Sequence, residues 1–310
     1  MRTLVIGAGA LGGYFGGCLA RAERDVTFLV RPRRAEQLAK TGLAIISPQG
    51  DFTVAANTVL ARDLKGSFDL ILVGVKSYSL DQAMEEFAPA VGPNAMILPI
   101  LNGLGHLDKL TARFGAERVL GGMSNISAGL DADGRVVQFM PNHDLTFGEV
   151  QGGISERTRA LETFLKSAAI NGRASDVIMQ DMWEKFVQLS TVAGITCLMR
   201  ASLGTILAAP GGQAAIFQLF HECCAIATAA GIVPRPAFIA FDTTLFTTVN
   251  SPLKASMLRD IERGSVTEGE HILGDMVSRA RSLGIETPLL DLARTHVAAY
   301  EIARAQAAGA

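Results

Sequence analysis

The chain has 310 residues, 49% of them hydrophobic, with 28 lysines and arginines against 30 aspartates and glutamates. That length suits two domains better than one core. The near-neutral balance excludes a nucleic-acid or membrane-surface binder that works by charge. Four cysteines, Cys18, Cys197, Cys223 and Cys224, lack metal-ligand spacing, which predicts no metal site and a reduced, cytoplasmic protein.

Thr3 to Ala20 carries no charge, so a signal peptide has to be weighed; six of these eighteen residues are glycine, which is poor for an apolar helix. No other stretch reaches the length of roughly 18 apolar residues that a membrane span needs. The expectation is a soluble protein with large cores and room for a homodimer interface.

Along the first half, strands and helices alternate. "TLVIG" (Thr3–Gly7) and "DVTFLV" (Asp25–Val30) are short apolar strands, with the helix "YFGGCLARA" between them. "FDLILVGVK" (Phe68–Lys76) and "AMILPIL" (Ala95–Leu101) are continuous apolar runs of the kind buried on both faces. The alternation predicts a parallel, doubly wound sheet. After Arg118, "VLGGMSNISAGL", "RVVQF" and "LTFGE" read as strands added on the far side of that sheet, with "DADG" as a turn. From Gln180 onward the segments are helix-like, punctuated by "AAPGG", "GIVPRP" and "NSP". The expected division is 1–177 and 178–310, an α/β domain followed by an all-α domain.

"GAGALG", Gly7-Ala8-Gly9-Ala10-Leu11-Gly12, fits G-x-G-x-x-G directly after a strand and at the start of a helix. In that context it predicts a Rossmann-type dinucleotide site, with the pyrophosphate on the helix N-terminus. The second strand ends in "FLVRPRR". Arg31 stands where an NAD-preferring site places a carboxylate, and Arg33 and Arg34 follow. A guanidinium there suits a 2′-phosphate, so NADP(H) is predicted; a solvated basic loop is the plainer alternative. Lys76 and Asn102 each follow a buried strand and should face the ligand crevice. A strand-end lysine reaching solvent and a simple Asn-Gly turn are their plain readings.

These segments together, "GAGALGGYFG", "VKSY", "LNGLG" and the helix "WEKF", resemble the ketopantoate reductase family. "ASMLRDIERGSVTE" (Ala255–Glu268) is similar to the family's "SSML…TE". The resemblance implies NADPH-dependent reduction of 2-dehydropantoate to pantoate on the way to coenzyme A. It implies Lys185 as proton donor and Ser256 as a substrate hydrogen-bonding group. Glu268 would contact the cofactor near the reacting centre, Lys76 and Asn102 would serve the nicotinamide end and the substrate, and Ala128 would line the cofactor. His106 matches no family motif and is read as a surface or structural histidine.

Three positions depart from the family's pattern: its better-known members carry asparagines where this chain has Leu189, Ala193 and Leu203. Arg200, near the same helix, offers a bidentate group for a carboxylate, or else a helix-end cation. A bulkier or more apolar 2-oxo acid is therefore the second reading of the substrate. An opine-type dehydrogenase and a non-catalytic NADPH sensor are the remaining alternatives. On a helical wheel Lys185 lies at a boundary, beside a stripe of Glu184, Gln188 and Thr191 expected to face water.

Overall fold

A computed structural model of the chain describes residues 1–309. The chain divides into two compact units, Met1–Asn102 with His106–Met179, and Gly103–Gly105 with Gln180–Ala310.

The first unit opens with β1 (Thr3–Ile6), α1 (Ala10–Arg21), β2 (Val26–Leu29) and α2 (Pro32–Thr41). Three short strands follow, β3 (Leu43–Ile46), β4 (Phe52–Val54) and β5 (Thr58–Val59). Then come β6 (Phe68–Val73), α3 (Leu80–Phe87), β7 (Val91–Pro99), α4 (Gly105–Phe114), β8 (Leu120–Leu130), β9 (Val136–Glu149), α5 (Glu156–Lys166) and β10 (Asn171–Ala174). The apolar runs find their burial: Leu4, Val5, Phe28, Leu70, Ile71, Leu72 and Leu98 are all fully enclosed. Each such side chain contributes about 1.5–3 kcal/mol of transfer free energy against the entropy of ordering it.

These strands form one sheet in the order β5-β2-β1-β6-β7, every pairing parallel. The winding reverses at β1, between β2 on one side and β6 on the other, which is the switch point where doubly wound sheets take their ligands.

The strands after Arg118 form a separate sheet rather than an extension of the first. Its order is β10-β9-β3-β4, with β8 antiparallel to β9. The two segments read as "RVVQF" and "LTFGE" are one strand of fourteen residues, β9. Its polar middle, Pro141 to Asp144, falls at an irregularity in the pairing: His143 and Asp144 face Ile126 and Asn125 of β8, and the register then shifts between Ile126 and Ala128, past Pro141 and Asn142. His106, in the first turn of α4, is fully buried; the structural alternative holds and the surface one does not.

The second unit is helical: α6 (Ile178–Met199), α7 (Leu203–Ala208), α8 (Gly212–Ala229), α9 (Pro236–Thr247), α10 (Ser256–Glu262), α11 (Asp275–Ser282) and α12 (Pro288–Gly309). A π-helical turn, Glu270–Gly274, leads into α11. The core is drawn from Phe186, Val187 and Ile195 of α6, Ile216, Leu219 and Phe220 of α8, and Leu290 and Ala293 of α12. Phe246 anchors α9 by edge-to-face packing on Phe220, ring centroids 5.1 Å apart. Among the described residues no helix is long and apolar enough to cross a membrane.

The stripe expected to face water does not. Glu184 and Thr191 are buried, 5% and 0% exposed, and Gln188 is half-buried. Arg235, in the segment before α9, donates to both Glu184 carboxylate oxygens at 2.9 Å and to Asp181 Oδ1 at 2.7 Å. Gln188 donates to Asp242 of α9. Polar residues can sit inward here because a second element brings their partners.

Candidate functional site

The first group of candidate residues lies in the α/β unit. Ile6 pairs with Leu29 on β2 and with Val73 on β6, and Val73 pairs with Pro99 on β7. Gly7, Arg31, Lys76 and Asn102 follow these residues by one, two, three and three positions. All four therefore lie past the same carboxyl edge of one sheet. Neighbouring strands are about 4.8 Å apart, so the row from β2 to β7 spans roughly 15 Å, a length suited to an extended dinucleotide.

At the centre of that row Gly7 has φ +86°, a left-handed conformation that a side chain would strain. Gly12 allows the first turn of α1 to lie on the end of β1: a Cβ there would come 2.1 Å from the Gly7 carbonyl oxygen. Around Gly9 the reverse holds, with nothing within 4 Å of where a Cβ would stand. The first bond of the helix runs from Gly13 N–H to the Gly9 carbonyl. The N–H groups of Ala10, Leu11 and Gly12 precede it, among the donors that a helix leaves to an outside acceptor. An enforced close turn, an open face and such donors together fit a pyrophosphate.

Arg31 is exposed at the N-cap of α2, its Nη2 donating to Gln82 Oε1 on α3 at 3.4 Å. Lys76 is exposed and Asn102 half-buried. Ala128 is not on this edge. It sits in β8 opposite Gln138, in the other sheet.

The second group lies in the helical unit. Lys185 is the eighth residue of α6. It is half-buried as a residue, yet desolvation of its amine pushes the pKa down to about 8. Leu189, one turn on, is half-buried, while Ala193 and Leu203 are buried. The family's asparagine positions are thus filled by apolar packing.

Ser256 opens α10 and is exposed; its neighbour Ala255 donates its N–H to Thr196 Oγ1 of α6 at 3.4 Å. That tie is eleven residues, about 16 Å, along α6 from Lys185. Glu268 is buried and its backbone is held firmly. Thr267 N–H donates to Glu301 Oε1 of α12 at 2.6 Å, and Ile272 N–H donates to the Glu268 carbonyl. The π turn begins two residues later, a feature often found at functional sites.

Arg200 is exposed with φ +54°. Ala201 N–H reaches back to the Thr196 carbonyl, which makes Arg200 the left-handed residue of a Schellman C-cap. This backbone conformation places Arg200 at the helix end with its side chain exposed. Among the described residues no group of three or more His, Cys, Asp or Glu could hold a metal ion.

A doubly wound sheet with a glycine turn at its switch point, together with a helical unit bearing a desolvated lysine, defines a Rossmann-type oxidoreductase. Residues 3–152 match the family described as ketopantoate reductase PanE/ApbA, and residues 177–301 match its C-terminal counterpart. The chain belongs to the ketopantoate reductase family.

It is 38% identical over 97% of its length to the uncharacterized oxidoreductase YkpB of Bacillus subtilis, covering 99% of that protein. It is 29% identical to the 2-dehydropantoate 2-reductase of Pyrococcus abyssi, over 93% of this chain and 94% of the other. Among solved structures, the 2-dehydropantoate 2-reductase of Geobacter metallireducens superposes with a TM-score of 0.86 at 29% identity, covering 96% of this chain and 99% of that one.

Proposed function

We propose that this oxidoreductase reduces a 2-oxo acid to a 2-hydroxy acid with NADPH, 2-dehydropantoate being the first candidate and pantoate the product. In that role the chain would act in the cytoplasm and serve coenzyme A synthesis. The observation that carries the reading is Lys185, an amine whose pKa of about 8 suits a proton donor near neutral pH.

NADPH, when bound, supplies the hydride. The chain's own residues do the rest. The turn Gly7–Gly12 and the start of α1 bind the pyrophosphate, and Arg31 binds the 2′-phosphate. Lys76 and Asn102 hold the nicotinamide end and the substrate, and Ala128 belongs to the cofactor lining. Lys185 stabilises the negative charge growing on the substrate oxygen and then protonates it. Ser256 and Arg200 hold the carboxylate and hydroxyl groups of the acid, and Glu268 orients the reacting end. Two domains, 1–177 and 178–310, divide these duties.

The apolar residues Leu189, Ala193 and Leu203 favour a second reading, a 2-oxo acid bulkier or more apolar than ketopantoate. NADPH oxidation measured with ketopantoate and with a series of branched and aryl 2-oxo acids decides between them. Ketopantoate giving the highest kcat/KM supports the first reading, and an aryl or long-chain acid winning by tenfold or more supports the second. Amine-dependent turnover would point to an opine-type enzyme. Tight NADPH binding with no turnover on any acid would make the protein a sensor. Self-association into a homodimer completes the proposal.

A further inference from the structure

Arg34 stands one turn beyond Arg31 on α2 and follows it in what reads as a basic cluster, but its guanidinium is employed differently. Nε donates to the Ala8 carbonyl at 3.1 Å; Nη1 donates to the Gly134 carbonyl at 2.8 Å and to Gln37 Oε1 at 2.8 Å. Gln37 in turn donates to the Asp133 carbonyl. One side chain thus ties the glycine-rich turn to the tip of the β8–β9 hairpin, both within the α/β unit.

This placement is costly. Burial holds the Arg34 pKa below the usual arginine value, and its Nη2 is enclosed without a hydrogen-bond partner. A lysine could not reach three acceptors in one plane, so the fork geometry is what the position uses.

The bond to Ala8 bears on the cofactor. In a trans peptide the C=O and N–H point in opposite directions. Fixing the Ala8 carbonyl on Arg34 turns the Gly9 N–H to the other side of the turn. Gly9 is also the residue with open space around it.

We propose that Arg34 is a positioning residue for dinucleotide binding: by holding the Ala8 carbonyl and the Gly134 carbonyl together, it sets the Ala8–Gly9 peptide plane that presents N–H donors to the pyrophosphate. The proposal rests on the dinucleotide reading of Gly7–Gly12. It separates two arginines three residues apart. Arg31 reads the 2′-phosphate and affects NADPH alone, whereas Arg34 acts through the pyrophosphate turn and affects NADPH and NADH alike.

The test measures Kd for NADPH and NADH by nucleotide fluorescence in the full-length wild type, in Arg34→Met and in Arg34→Lys. Inhibition by adenosine 2′-monophosphate, which lacks the pyrophosphate, is measured beside it. Losing a charge-assisted bond of this kind should weaken both dinucleotides by about tenfold in Arg34→Met, leaving their ratio unchanged. Arg34→Lys should fall between the two. The Ki of adenosine 2′-monophosphate and the kcat at saturating cofactor should stay at wild-type values, a split that general loss of structure would not produce. If Arg34→Met does not fold, Arg34→Lys alone decides, by weakening both dinucleotides or neither. Unchanged Kd for both, or weakening of NADPH alone, overturns the proposal. A wild type that binds neither dinucleotide overturns the underlying cofactor reading instead.

Discussion

Lys185 is costly to the fold in its charged state, the state that the proposed proton transfer needs. An ammonium on a packed helix loses hydration, and the resulting pKa of about 8 lies below the ordinary lysine value of 10.5. As an acid it must be protonated, so reduction should be full below about pH 8 and fall as pH rises through it. Stability moves the other way. Between about 8 and 10.5 the unfolded chain holds the proton more tightly than the folded one, so stability rises with pH across that window. Lys185→Met should lower kcat by about 10² to 10⁴ and flatten this rise in urea unfolding curves taken at pH 7, 8, 9 and 10. Equal pH slopes in variant and wild type would show that the amine is not desolvated. At this scale the glycine turn was legible in the sequence, because Gly7 to Gly12 act through local backbone geometry. The desolvation of the Lys185 amine was not, since a helical wheel shows only the neighbours that α6 itself supplies.

The same limit shows in whole elements. The strands of the parallel sheet were readable because Leu70 to Val73 and their neighbours are apolar without interruption. β9 was not readable as one strand, because Pro141, Asn142, His143 and Asp144 interrupt the pattern, and the strand shows as one only through its pairing with β8 on both sides of a register shift. The polar stripe of α6 failed for a related reason. A wheel shows which residues share a face, but not that Arg235 arrives from the loop before α9 to meet them. Asp181 and Glu184 have side chains 7% and 6% exposed, and Arg235 is the cation common to both. Burial works to raise the Glu184 pKa, but the hydrogen bonds from Arg235 and Gln180 outweigh it and hold the carboxylate below its usual value. Removing the cation leaves two buried carboxylates. Because the Arg235 side chain is 47% exposed, the loss should sit below that of a fully buried pair, about 2 kcal/mol for Arg235→Ala. A depressed carboxylate contributes stability above its unfolded pKa and loses it as pH falls. The difference between wild type and variant should therefore shrink toward pH 3. Urea midpoints within about 0.5 kcal/mol of each other at pH 7 would mean that the network contributes little.

Across the whole molecule, the net charge of −2 gives no field strong enough to choose a partner. The candidate for self-association is an uncharged surface around α9 that leaves large apolar side chains uncovered. Of the twelve residues of α9, Asp242 and Phe246 are the buried ones. Phe241 is 63% exposed, and Val233 and Val249 at the two ends of the helix are 67% and 76% exposed. Between Pro236 and Pro252 the single charged residue is Asp242, and it faces inward. A neutral apolar face can meet its own copy across a two-fold axis without like-charge repulsion, and each residue near the axis then appears twice in the contact. A stable pairing needs roughly 800 Å² from each partner, more than one helix of about 18 Å supplies, so the flanking Val233 and Val249 must take part. Light scattering on the eluting wild type should give twice the chain mass of 32.8 kDa at micromolar concentration. Phe241→Lys should give one chain mass, because two ammonium groups would be brought together in an apolar contact. Its melting temperature at high dilution should match the wild type's, since Phe241 packs little within its own chain. A wild type that elutes at one chain mass, or a Phe241→Lys variant that still pairs, would remove α9 as the dimer face.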